Sequence, residues 1–322
     1  MQKVLEELGK IGIIPVIKID DPAKAVPLAR ALIAGGIPCA EVTFRTAQGE
    51  EAIRRIAAEV PETLVGAGTV LTTDQVDRAL SAGARFIVSP GYNPRVVDYC
   101  IEKGIPVTPG CSHPSDFERA LEAGLEAVKF FPAEQSGGLD YIKAVAAPYT
   151  SLQFIPTGGI NAANIGAYIA YDRILACGGT WMVGADLINA GDFARIAALS
   201  REAVLTMLGF TLAHIGINAG SGEEAKKGAA LFNALFGFPV KDGNSSVFAG
   251  DYLELTKLPG AAGANGHIAV ATNTVARAQA YLERQGVRFD PESVKKNAGG
   301  RINAVFARDE ILGFAWHLLQ KK

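Results

Sequence analysis

Apolar and polar residues alternate in a pattern that predicts eight strand–helix units before about residue 207. Glycines such as Gly83, Gly104 and Gly124 follow predicted helices and end them just before the next strand. This unbroken alternation predicts a closed (β/α)8 TIM barrel over residues 1–207. An open doubly wound sheet is the alternative, but no G-x-G-x-x-G loop follows the first strand. The predicted strands are Ile13–Ile17, Cys39–Phe44, Leu64–Gly68, Phe86–Ser89, Ile105–Thr108, Ala127–Phe131, Phe154–Thr157 and Ile174–Cys177.

The pattern changes after Gly209, and residues 210–322 predict a smaller α+β domain built from two βαβββ repeats. One helix in each repeat covers one face of the sheet, which leaves the other face free for a site. The first repeat is predicted as a strand at Ala213–Ile217, a helix at Glu223–Phe236 and short strands ending at Tyr252–Thr256. The second is predicted as a strand at His267–Val270, a helix at Val275–Gln285 and short strands ending at Phe314–Leu319.

Lys129 is a cation inside the apolar run Ala127–Phe131, which predicts a buried strand. A buried lysine must pair its ammonium or give up its proton, and an unprotonated amine is a nucleophile toward carbonyls. Strand alternation places Lys129 on one face with Ala127 and Phe131, and places Glu41 on one face with Cys39 and Thr43. Both faces are expected to point into the barrel, where a carboxylate can move protons for the amine. A structural ion pair remains the alternative.

Paired glycines end the last two predicted strands, as Gly158-Gly159 after Thr157 and as Gly178-Gly179 before Thr180. Backbone N–H groups exposed after strands seven and eight form the usual phosphate site of this barrel. Two such pairs at these strands favour a phosphate site over simple tight turns.

Composition narrows the function classes. The net charge is −2, without a long run of one sign, which argues against a nucleic-acid partner. No stretch predicts a signal peptide or a membrane span. Four cysteines lie far apart without a CxxC pair, which is typical of reduced thiols in the cytoplasm.

Several motifs in order give residues 1–207 a specific resemblance to the 2-keto-3-deoxy-6-phosphogluconate (KDPG) and 4-hydroxy-2-oxoglutarate (KHG) aldolases. They are Glu41-Val42-Thr43-x-Arg45-Thr46, Gly66-Ala67-Gly68-Thr69-Val70, Ser89-Pro90-Gly91, Pro109-Gly110, Lys129-Phe130-Phe131-Pro132-Ala133-Glu134 and Pro156-Thr157-Gly158-Gly159-Ile160.

The resemblance implies a class I aldolase in which Lys129 forms a Schiff base and Glu41 is the general acid/base. It places Arg45, Thr69 and Phe131 at the keto-acid pocket, and it places the phosphate at Thr157, Gly158, Gly159 and Thr180. The protonated imine is the electron sink, so the cleavage needs no metal. The expected partner is a small-molecule keto acid, and the family implies a homo-oligomer, a trimer of barrels.

Two positions depart from the family pattern. Thr180 stands where serine is frequent, which keeps the hydroxyl. His113 follows Pro109-Gly110, where threonine is common. The sequence favours a helix-start role for His113 before Pro114 over a place in the pocket.

Three of the four histidines fall in the C-terminal repeat. His214 and His267 occupy the same position in the first strand of each copy, and Glu254 and His317 occupy the same position in the last strand. A pseudo-two-fold arrangement brings the four together on the face that the helices leave uncovered.

Residues 210–322 resemble the glyoxalase/bleomycin-resistance (vicinal oxygen chelate) family, whose metal ligands lie at these strand positions. His317 departs from the commoner glutamate. The set suits a divalent ion of zinc, nickel, cobalt, manganese or iron, and an inert domain is the alternative. For the whole chain, the rival to an aldolase is a metal- or ligand-sensing scaffold with a non-catalytic barrel, but the presence of both Glu41 and Lys129 argues against it.

Overall fold

The computed structural model describes residues 2–258 and 263–321. The chain divides into two compact units, Met1–Met207 and Leu208–Lys322. Within the described ranges, no helix combines the length and the apolar character that crossing a bilayer requires.

Short strands and helices alternate through the first unit. Its strands are β1 Ile13–Ile17, β2 Cys39–Thr43, β3 Leu64–Gly68, β4 Ile87–Val88, β5 Val107–Thr108, β6 Gly110–Cys111, β7 Ala127–Phe130, β8 Gln153–Pro156 and β9 Cys177–Gly179. Its helices are α1 Gln2–Ile11, α2 Ala25–Ala34, α3 Gly49–Glu59, α4 Thr73–Ser81, α5 Pro94–Glu102, α6 Pro114–Glu122, α7 Gly138–Ala146, α8 Ile165–Ala170, α9 Ala185–Ala190 and α10 Phe193–Leu208.

All strand pairings in this unit are parallel. One sheet has the order β5-β4-β3-β2-β1-β9, and β6-β7-β8 form a second. Only Pro109 separates β5 from β6 in the chain, and parallel bridges join Phe154 to Ile174 and Thr157 to Gly178. The strands therefore follow one another around the unit in chain order, which brings their carboxyl ends to the same edge.

Local sequence explains the helix boundaries. Thr72 caps α4 by accepting a hydrogen bond from the backbone N–H of Gln75, and Asn93 caps α5 ahead of Pro94. Gly83, Gly104 and Gly124 follow α4, α5 and α6 with φ of +100°, +68° and +76°. Glycine adopts this left-handed conformation at little cost, and it turns the chain toward the next strand.

The last predicted strand of this unit was placed three residues too early. The prediction was Ile174–Cys177, whereas the ladder with β1 runs over Cys177–Gly179. Ile174 lies outside that ladder, in a bridge to Phe154. Apolarity marked the segment that enters the core, but the residues that pair with β1 include two glycines, which carry no hydrophobic signal.

The second unit contains one eight-stranded sheet with the order β11-β12-β13-β10-β14-β17-β16-β15. Its helices α11 and α12 contact the sheet at β11–β13 and at β16–β17. The chain order in each half is strand, helix and three strands. The elements are β10 Thr211–Asn218, α11 Gly222–Phe236, β11 Val240–Asp242, β12 Ser246–Ala249, β13 Leu253–Thr256, β14 Gly266–Thr272, α12 Val275–Arg284, β15 Lys295–Lys296, β16 Ile302–Phe306 and β17 Phe314–Gln320.

Candidate active site

Lys129 and Glu41 form a buried pair inside the first unit. Lys129 lies on β7 and is 7% exposed, and Glu41 lies on β2 and is 3% exposed. Lys129 Nζ lies 3.4 Å from Glu41 Oε1 and 5.2 Å from the centre of the Phe131 ring. The carboxylate is therefore within reach of the amine's proton, and both groups are largely shielded from water.

Gly68 makes room for the Glu41 carboxylate. The neighbouring strand β3 places Gly68 beside β2, and a Cβ built on Gly68 would lie 2.3 Å from Glu41 Oε1 and 2.8 Å from its Cγ. Any larger residue at this position must displace the carboxylate. The glycine is therefore part of the architecture that aims Glu41 at Lys129.

A pocket of about 270 Å³ opens above this pair. Every residue that the sequence placed at the catalytic and substrate sites lines it: Glu41, Arg45, Thr69, Lys129, Phe131, Thr157, Gly158, Gly159, Gly179 and Thr180. Val16, Pro90 and Ile160 also line it and were missed. They are apolar or cyclic side chains at strand ends, which the sequence pattern does not distinguish from core residues.

Arg45 is held at the pocket by Thr43, a residue for which the sequence predicted no separate role. Arg45 Nε donates to Thr43 Oγ1 at 3.2 Å, and that hydroxyl donates to the carbonyl of Ile17 at 2.8 Å. Thr43 is fully buried. Because Nε is engaged, the two terminal nitrogens of the guanidinium remain to bind a carboxylate.

The backbone around the pocket is unusual at two places. Thr69 has φ of +57°, a left-handed conformation that is uncommon for a residue with a branched side chain. Gly158 and Gly159 have φ of +99° and +82°. Consecutive N–H groups in a turn of this kind form a concave site for an anion.

The family model "KDPG and KHG aldolase" matches residues 4–199. The chain belongs to the KDPG and KHG aldolase family. The 2-dehydro-3-deoxy-phosphogluconate aldolase of Treponema pallidum (strain Nichols) is 52% identical over 202 residues, which are 63% of this chain and 96% of that protein.

Two solved structures of this family superpose on the chain. The KDPG aldolase of Legionella pneumophila, with pyruvate captured as a covalent carbinolamine intermediate, is 35% identical with a TM-score of 0.60, over 62% of this chain and 97% of that one. The aldolase of Zymomonas mobilis ZM4, solved with 3-phosphoglycerate, is 40% identical with a TM-score of 0.58, over 62% and 94%.

His113 begins a helix and does not line the pocket. Its side chain accepts a hydrogen bond from the backbone N–H of Ser115, and the Asp116 carboxylate accepts one from the backbone N–H of His113. This reciprocal arrangement is a capping box at the start of α6. The departure from the aldolase family pattern at this position is therefore structural, as the sequence favoured.

The second unit, which lies beyond the aldolase match, brings its three predicted histidine ligands together, and the fourth predicted ligand, Glu254, contacts two of them. His214 Nε2 lies 2.9 Å from Glu254 Oε2 and 3.2 Å from His267 Nε2, and His267 Nε2 lies 3.2 Å from Glu254 Oε2. One nitrogen from each of His214, His267 and His317 lies within 4.8 Å of the others. Gly216 provides the space, because a Cβ there would lie 1.9 Å from His267 Cε1.

Burial and mutual contacts shift the pKa values of Glu254 and His317 in this cluster. Burial raises the pKa of Glu254, but hydrogen bonds from His214, His267 and Ser246 outweigh that effect and hold its pKa below the ordinary value. Burial lowers the pKa of His317 to about 4, and the two neighbouring histidines add to the shift. The cluster therefore offers an ionised carboxylate and a neutral His317 imidazole, which are the forms that bind metals.

Proposed function

We propose that the first unit is a closed (β/α)8 barrel that acts as a class I aldolase, with Lys129 as the Schiff-base lysine and Glu41 as the general acid/base. The observation that carries the proposal is the buried pair of Lys129 and Glu41, 3.4 Å apart, at the base of a pocket lined by Arg45 and a glycine turn. The family membership of residues 4–199 supports the same chemistry.

Different residues of the pocket bind the two ends of the substrate. The terminal nitrogens of Arg45 bind the carboxylate of the keto acid, with Thr69 and Phe131 beside it. The N–H groups and hydroxyls around Thr157, Gly158, Gly159, Gly179 and Thr180 receive a phosphate at the other end. The reacting carbonyl then lies between these ends, next to Lys129 Nζ.

Chemistry begins when Glu41 relieves Lys129 of a proton and the free amine attacks the C2 carbonyl. The resulting carbinolamine loses water, with a proton supplied by Glu41, and becomes a protonated imine. The C3–C4 bond then breaks. Its electron pair moves into the imine to form an enamine, and the C4 hydroxyl gives its proton to the Glu41 carboxylate as the aldehyde leaves; this proton is the one that the enamine then receives. Protonation of the enamine at C3 and hydrolysis of the imine release pyruvate and regenerate the amine.

The substrates that this site suits are 2-keto-3-deoxy-6-phosphogluconate, which yields pyruvate and glyceraldehyde 3-phosphate, and 4-hydroxy-2-oxoglutarate, which yields pyruvate and glyoxylate. The test is pyruvate release from each acid by the purified protein. Release from at least one of them is expected, and release from neither contradicts the assignment.

We also propose that residues 210–322 form a glyoxalase-like domain that binds a divalent metal through His214, Glu254, His267 and His317. Four ligands held tetrahedrally at the usual zinc–nitrogen and zinc–oxygen bond lengths lie about 3.4 Å apart. The separations of 2.9–3.2 Å among the donor atoms of His214, Glu254 and His267 are close to that value, and a nitrogen of His317 lies within 4.8 Å of those of the other two histidines. Metal analysis of wild type against His267→Ala tests the proposal, and equal, near-zero metal in both contradicts it.

Two further expectations concern the whole protein. We infer a homo-oligomer, most simply a trimer of barrels, from the family of the first unit. We infer a cytoplasmic location from the four cysteines, which lie far apart in the sequence without a CxxC pair and are all buried in the structure.

A further inference from the structure

The protein holds two consecutive carbonyls of the turn after β8. Gly158 O accepts a hydrogen bond from the backbone N–H of Glu134 at 3.1 Å. Gly159 O accepts two, from Asn161 Nδ2 at 3.1 Å and from Asn164 Nδ2 at 3.0 Å. The C=O and N–H of a trans peptide point in opposite directions. The N–H groups of Gly159 and Ile160 are therefore turned away from these partners.

Those two N–H groups belong to residues that line the pocket. Gly159 and Ile160 both line it, together with Lys129. Among the residues that the structure describes, neither N–H has a protein acceptor. A pair of adjacent N–H donors, held in place by their own carbonyls, suits the oxygens of a phosphate.

Asn164 gives up its usual local role to make this contact. It directly precedes α8, where an asparagine side chain normally accepts from the first N–H groups of the helix. Here it makes no capping hydrogen bond. Its Oδ1 accepts from the backbone N–H of Asn161 at 2.9 Å, and its Nδ2 donates to Gly159 O. Both polar ends of the side chain are thus committed to the turn.

The opposite side of the turn is equally constrained. A Cβ on Gly159 would lie 2.4 Å from Glu134 Cγ, so the glycine packs directly on that side chain. The hydroxyl of Tyr168 donates a hydrogen bond to Glu134 Oε1 and holds it there. The turn is clamped between Glu134 on one side and the two asparagines on the other.

We propose that Asn164, assisted by Asn161, is a positioning residue that orients the glycine turn toward the substrate phosphate and so sets the preference for phosphorylated keto acids. Neither asparagine lines the pocket, so both act through the backbone of Gly159. The proposal rests on the aldolase function proposed above and names the residues that give that site its selectivity.

The test is a kinetic comparison of wild type and Asn164→Ala on 2-keto-3-deoxy-6-phosphogluconate and 4-hydroxy-2-oxoglutarate. The KM for the phosphorylated acid is expected to rise about tenfold, since the net value of one hydrogen bond to the turn is lost. The kcat for the phosphorylated acid is expected to stay within about twofold of the wild-type value. The kcat and KM for the unphosphorylated acid are expected to stay within the same range. Asn164→Asp, which keeps the acceptor but loses the donor and adds a negative charge, should raise the same KM further.

Asn93→Ala is the matched control. Asn93 also precedes a helix, caps it, and donates to the carbonyl of Leu71. Its loss should lower the Tm without changing the ratio of the two substrates. Equal effects of Asn164→Ala on both substrates, no effect on either, or the same selectivity change in Asn93→Ala would each overturn the proposal. If Asn164→Ala does not fold, Asn161→Ala removes one of the two side-chain donors from an exposed position and is judged by the same ratio.

Titration with inorganic phosphate separates this proposal from the aldolase assignment, because it needs no turnover. The Kd is expected to be about tenfold weaker in Asn164→Ala than in wild type. If wild type binds phosphate about tenfold more tightly than Asn164→Ala but releases no pyruvate, the aldolase function is contradicted and the positioning role of Asn164 is supported. Equal phosphate affinity in the two proteins contradicts the positioning role of Asn164.

Discussion

Gly68→Ala is expected to damage catalysis by moving one carboxylate. The new Cβ would lie 2.3 Å from Glu41 Oε1 and within 3 Å of Glu41 Cγ and Cδ. Side-chain contacts of this kind are not tolerated below about 3.0 Å, so the carboxylate must shift by about 0.7 Å or more. Glu41 is buried and lies 3.4 Å from Lys129 Nζ, so such a shift takes it out of line with the amine. A misplacement of about 1 Å costs on the order of a hundredfold in rate.

The assay is pyruvate release followed by coupled lactate dehydrogenase. Gly68→Ala should lower kcat about a hundredfold. The KM should change little, because Arg45 and the glycine turn are untouched. Gly166→Ala is the matched control, since Gly166 lies in α8 and a Cβ there meets nothing within 4 Å. It should keep full activity and gain stability by roughly 1 kcal/mol. If Gly68→Ala folds normally and keeps kcat within about threefold of wild type, Gly68 does not position Glu41.

Three other substitutions test separate parts of the structure. Thr43→Val removes the hydroxyl that accepts from Arg45 Nε and should raise the KM of both keto acids about tenfold, while Thr43→Ser keeps the hydroxyl and should keep the wild-type KM. Unchanged KM values in Thr43→Val would show that Arg45 does not depend on this hydrogen bond. Gly216→Ala should displace the His267 ring and weaken metal binding about tenfold or more in a metal titration, whereas Gly222→Ala, with only ordinary contacts at 3.8 Å, should not; retained affinity in Gly216→Ala would count against the proposed ligand set. His113→Ala should leave kcat and KM unchanged and lower the free energy of unfolding by about 1 kcal/mol in a denaturant titration. A change in kcat or KM would contradict a purely structural role for His113.

Strand periodicity was sufficient to place Lys129 and Glu41 together. Lys129 and Glu41 each lie on the strand face opposite to an all-apolar set of side chains, which predicted that the two share one interior. The histidine cluster was predictable for a related reason. Two copies of one element order place equivalent positions near each other, and His214, His267 and His317 do meet.

Contacts between strands lay beyond the sequence because they depend on register. Thr43 was expected to face inward, but the sequence carries no sign that its hydroxyl links Arg45 to the carbonyl of Ile17. The need for Gly68 follows from its position beside Glu41 on the neighbouring strand. In the sequence, Asn164 resembles an ordinary helix cap. Only the folded structure shows that its side chain contacts the carbonyl of Gly159 and does not cap the helix.

The central claim is that Lys129 forms a covalent imine with the keto acid. The direct measurement is incubation with pyruvate and sodium borohydride, followed by intact mass and peptide mapping of wild type and Lys129→Met. One reduced pyruvyl adduct is expected in the wild type, on Lys129, and none in the variant. The absence of an adduct from the wild type, or an adduct that persists in Lys129→Met, would contradict it.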